Sequence, residues 1–117
     1  MELDKEWLRI WRKRRWLSVP VTQNGGHIRF IGDDLLLLKG DINFGTVLTR
    51  ARITEVEYWQ HPWWLSNSVQ LHLGPAPETW TIATVANGAF ALKHAQDWAD
   101  RFVEVLASRG ASERRRR

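Results

Sequence analysis

Leu92, Ala95, Trp98, Ala99, Phe102, Val103 and Leu106 share one face of a helix, with Lys93, Asp97, Asp100 and Glu104 on the other. Almost everything between residues 16 and 86 alternates instead, in short apolar pieces cut by turn signals. Strands followed by one strongly amphipathic helix fit an α+β fold. Gly110 stands where it would stop that helix.

The strand pieces can be read one by one. Leu17, Val19 and Val21 alternate, and Pro20 puts that piece at a sheet edge or a strand end. Asn24-Gly25-Gly26 is a turn. His27 to Ile31 and Leu35 to Lys39 form a hairpin closed by Gly32-Asp33-Asp34. Thr46 to Trp59 gives one or two strands, and the three-residue step from Ile53 to Val56 marks a bulge or bend. Ser68 to Leu73 and Thr79 to Ala86 complete the set, separated by Gly74-Pro75-Ala76-Pro77. Ahead of them, Leu3, Trp7, Ile10, Trp11 and Leu17 fall within about 120° at helical period, which predicts a short basic helix over residues 1–15. Residues 109–117 are expected to be a disordered, arginine-rich tail.

The segment Thr46-Val47-Leu48-Thr49-Arg50-Ala51-Arg52-Ile53-Thr54-Glu55-Val56-Glu57 resembles a strand–bend–strand of the small bacterial pleckstrin-homology (PH)-like domains, where an Ile-x-x-Val spacing recurs. The helix from Ala95 to Leu106, with Trp98 on its buried side, is similar to their closing helix. Over residues 16–108 the resemblance implies an antiparallel, seven-stranded partial barrel with the helix plugging one end. It also implies that phosphoinositide gripping would need Lys and Arg around the loop joining the first two strands. Taken as Thr22 to Gly26, that loop has only Arg29 and His27 nearby.

Charge separates the ends from the middle. Residues 1–17 carry six Lys/Arg against three Asp/Glu, and residues 109–117 five against one, while the stretch between carries six against nine. The net +4 therefore belongs to the two ends. A mildly acidic body is not what a folded nucleic-acid-reading face looks like. The chain has no cysteine, which excludes disulfides, thiolate metal sites and cysteine nucleophiles. His27, His61, His72 and His94 share no metal-ligand spacing, and there is no phosphate loop or nucleophile elbow. No enzyme activity, cofactor or metal is expected. The charged N-terminus has no apolar signal core, so the expectation is a cytoplasmic protein, peripheral at most on the inner face of the membrane.

Three features remain as candidate contacts. Trp7, Trp11 and Trp16 stand among Arg9, Arg12, Lys13, Arg14 and Arg15, a composition suited to an anionic lipid surface; the alternative is a stripe packed on the sheet with its cations solvated. Trp63 and Trp64 follow Pro62 in a loop, where they either meet a protein partner or second copy or fold inward. Arg114, Arg115, Arg116 and Arg117 attract any polyanion, or simply solubilise the end. The expected function is a non-enzymatic PH-like interaction module that binds a protein partner or docks peripherally on an anionic membrane. A nucleic-acid-binding accessory protein, using the basic ends with Trp stacking, is the alternative.

Overall fold

In the computed structural model, which describes residues 3–14, 16–20, 25–32, 35–39, 48–60, 69–75, 78–85 and 90–116, the N-terminal segment is a strand and not the expected helix. Only a single 3-10 turn, Leu3–Lys5, precedes strand β1, Leu8–Arg14. Leu8 and Ile10 are fully buried, while Arg9 and Lys13 are exposed. That is a period of two. The helical stripe ran through Trp7, which is 59% exposed, and missed Leu8. A helix this short gains little from local hydrogen bonds. In the strand, β1 satisfies its backbone on both sides, pairing with β2 (Leu17–Pro20) and β8 (Glu78–Thr84). Tertiary pairing outweighs a local periodicity that was only partly helical.

The remaining strands follow the alternation. β3 (His27–Phe30), β4 (Leu35–Lys39) and β5 (Leu48–Arg52) form a small antiparallel sheet. The chain then breaks at Ile53 and Thr54, within the Ile53–Val56 step, and crosses to the larger sheet as β6 (Glu55–Gln60). β7 (Val69–Gly74) and β8 complete the antiparallel part, in the order β2-β1-β8-β7-β6. β2 lies at the edge and ends on Pro20, where a residue without an N–H does least harm. Two sheets form, not a closed barrel, and among the described residues eight strands precede the helix.

Helix α1, Ala91–Ser108, buries Ala95, Trp98, Ala99, Phe102, Val103 and Leu106 against β6 and β7. Trp98 stacks on Phe102 with ring centres 5.1 Å apart, and Phe102 meets Phe30 of the small sheet at 5.9 Å. Helix and small sheet therefore share one core with Leu8, Ile10, Val56, Leu71, Leu73 and Ile82 of the large sheet. No helix among the described residues is long and apolar enough to cross a membrane.

The C-terminal segment also departs from expectation. Gly110, at φ +96°, ends α1 by donating its N–H to the Ala107 carbonyl, while Ala111 N–H reaches back to the Leu106 carbonyl. This paired closure reverses the chain and tucks Ala111 toward the core. Ser112 N–H then bonds to the Thr54 carbonyl, and Ser112–Arg116 runs as β9, parallel to β6. The tail is thus an edge strand of a mixed sheet, not a disordered end.

Candidate functional site

The strand alternation sorts the N-terminal candidates onto different faces. Arg12 follows Leu8 and Ile10 to the inner side, where its guanidinium sits 5.6 Å from the Trp80 ring centre. Trp11 and Lys13 point outward, Trp11 half-buried and Lys13 exposed. Trp7 lies at the other end of β1, against the His27 ring at 4.4 Å. They do not form one amphipathic stripe. Arg14 is the last residue of β1, and Arg15 lies outside the described residues. So do Trp63, Trp64 and Arg117.

What β1 and β2 do bring together is a hairpin tip. The strands pair up to Arg14↔Leu17, so the connection is only Arg15 and Trp16. Trp16 is 86% exposed and Leu17 55% exposed. They follow the basic run Arg12-Lys13-Arg14-Arg15 directly. A connection this short cannot fold a large side chain back under the sheet, so the indole stays in solvent. This is also the loop between the first two strands. The sequence reading, with a helix before residue 16, placed that loop at Thr22–Gly26 instead.

Two histidines clasp the opposite end. His94 of α1 and the Glu6 carboxylate lie 2.8 Å apart, and His27 Nδ1 is 2.9 Å from the Glu6 carbonyl oxygen. Gly25, at φ +125°, passes under Trp7 so closely that a Cβ there would sit 3.0 Å from the indole. Sequence spacing gave these histidines no metal-ligand motif. They tie the segment before β1 to the small sheet and the helix.

The outer face of the large sheet carries a continuous cross-strand row in register: Trp11, Thr81, His72, Glu57 and Arg114. Thr81 Oγ1 and His72 Nδ1 are 3.3 Å apart, the Trp59 indole N–H donates to Glu57, and Trp59 meets the His72 ring edge-on. A shallow groove of about 230 Å³ runs beside the row, with Gly74 in its lining and Lys13 on β1 and Arg114 on β9. Glu55 and Glu57 line it too, so its charge is mixed and it is not an anion site. No group of three His, Asp or Glu side chains able to hold a metal occurs among the described residues.

The C-terminal arginines are split by the same alternation. Arg114 faces the outer groove, while Arg115 turns to the helix side. There its Nη1 donates to Asp100 Oδ1 at 2.8 Å and its guanidinium lies 4.6 Å from the Tyr58 ring centre. The hydrogen bond to Asp100 raises the Arg115 pKa above its ordinary value, against a smaller lowering by burial. Sequence reasoning missed Tyr58 and Asp100 because nothing local signals that a tail will return to a strand. The Gly110 stop was the available clue.

Comparison with known proteins finds no matching family model, no matching curated protein and no matching solved structure.

Proposed function

We propose that this protein is a non-enzymatic, PH-like interaction module that docks peripherally on an anionic membrane surface through the β1–β2 hairpin tip. The observation that carries the reading is Trp16, 86% exposed, beside Leu17 at 55%, directly after Arg12-Lys13-Arg14-Arg15. An indole settles at the headgroup level, a leucine reaches the acyl boundary, and cations near an anionic leaflet contribute on the order of 1 kcal/mol each. Arg12 is engaged with Trp80, and Lys13 is the exposed cation on β1 beside the tip. Two apolar side chains with neighbouring positive charge give weak, reversible docking, not anchoring.

The order of short strands followed by one C-terminal amphipathic helix supports the PH-like part of the reading.

Co-sedimentation with phosphatidylserine–phosphatidylcholine vesicles, against phosphatidylcholine alone, tests the proposal. The wild-type chain should pellet with the anionic vesicles at low salt. The double change Trp16→Ser, Leu17→Ser should weaken that binding at least about tenfold and leave the melting temperature unchanged. Absence of wild-type binding contradicts the membrane reading. A gel shift with single-stranded DNA under the same conditions would then favour the nucleic-acid alternative.

A further inference from the structure

β9 is lightly held for a strand that completes a sheet. Among the described residues it pairs with β6 alone, from Glu55↔Ser112 to Trp59↔Arg116. Ser112, Glu113, Arg114 and Arg115 are all exposed, and only Ala111 ahead of them packs toward the core. The segment Ser112-Glu113-Arg114-Arg115-Arg116 has no apolar side chain. Among the described residues, the side chain that fixes it beyond the backbone ladder is Arg115, read at once by Asp100 of α1 and by the ring of Tyr58 on β6. A planar guanidinium can lie on a ring and donate in its own plane to a carboxylate; an ammonium cannot do both as well. With β9 in place Tyr58 is 4% exposed, its ring covered by the arginine. Glu104 stands one helical turn from Asp100 and is exposed, which extends the acidic character of this face of α1.

We propose that the β6 edge, with Tyr58 and Asp100, is a binding site for an arginine-bearing extended segment of a partner protein, and that residues 112–116 are its exchangeable resident. The resident shows the chemistry that the site accepts: an extended backbone for the ladder and an arginine at the position paired with Tyr58. Gly110 provides the hinge, and the weakness of the anchorage makes detachment accessible. The proposal does not depend on membrane docking, which uses the opposite edge of the sheet.

A fluorescein-labelled peptide with the sequence of residues 110–117, titrated into the full chain by anisotropy, tests the site. In the wild type the tethered strand competes at an effective concentration of about millimolar, so peptide uptake is weak. Arg115→Glu sets like charges against each other, detaches β9 and should tighten peptide binding roughly tenfold or more. A peptide with alanine in place of the Arg115 equivalent should not bind this variant. Adding Asp100→Arg to Arg115→Glu restores an ion pair within the chain and should return peptide binding to the wild-type level or below. Circular dichroism melts establish that each variant is folded, and Arg115→Ala serves if the charge reversal does not fold. The proposal is overturned if the detached variant binds peptide no better than wild type, or if the double variant binds as well as the single one. It is also overturned if the wild type forms a dimer that Arg115→Glu abolishes while that variant takes up no peptide, which would assign the edge to exchange between copies.

Discussion

Trp98 shows how much one side chain can commit a small fold. Its indole is 1% exposed, stacked on Phe102, and its N–H finds no hydrogen-bond partner among the described residues. The packing gain and the orphan donor oppose each other. Trp98→Ala should therefore cost about 3–5 kcal/mol through lost burial and the cavity left behind. Trp98→Phe, which removes the orphan and keeps an aromatic, should cost much less, about 1 kcal/mol. Denaturant melts of the two variants separate the terms; equal losses would mean that the N–H is satisfied or the ring does not pack. This role was legible in the sequence, because a tryptophan in the middle of a wide apolar helix stripe has few alternatives. Arg12 was not legible. Its inward turn onto Trp80 depends on a cross-strand neighbour nearly seventy positions away along the chain.

At the scale of elements, the sequence placed β3, β4, β7, β8 and α1 correctly, because each is a short apolar or periodic piece set off by turn residues, and it left β5 and β6 open as one or two strands. The two ends were misassigned for a common reason. Both take their structure from partners and not from local preference: β1 from the β2 and β8 ladders, β9 from β6 after the turn at Gly110. In the first case Trp7, Ile10 and Trp11 mimicked a helix stripe, although Leu8 and Ile10 already carried the strand's alternation. Leu8→Ala tells the two apart. As the buried residue of an internal strand, Leu8 should cost about 2–5 kcal/mol when truncated, and Trp7→Ala, at a position 59% exposed, about 1 kcal/mol or less. The reverse order of losses would restore the helix.

For the whole molecule, the strand assignment changes where charge and apolar surface meet. As a helix, the N-terminus would have offered a continuous Trp–Arg stripe. As β1 and β2 it offers a compact tip, with Trp16 and Leu17 at the end of a hairpin that the large sheet holds in place. The tip at one edge and β9 at the other are the two places where the chain's excess positive charge is displayed. The loop with Trp63 and Trp64 lies outside the described residues, so the tip carries the membrane assignment by itself. Hydrogen–deuterium exchange of the full chain, with and without phosphatidylserine-containing vesicles, tests that assignment most directly. The account predicts added protection in peptides spanning residues 12–20, with α1 and the inner strands β7 and β8 unchanged. Protection centred on β9 or the outer sheet face, with residues 12–20 unaffected, would contradict it.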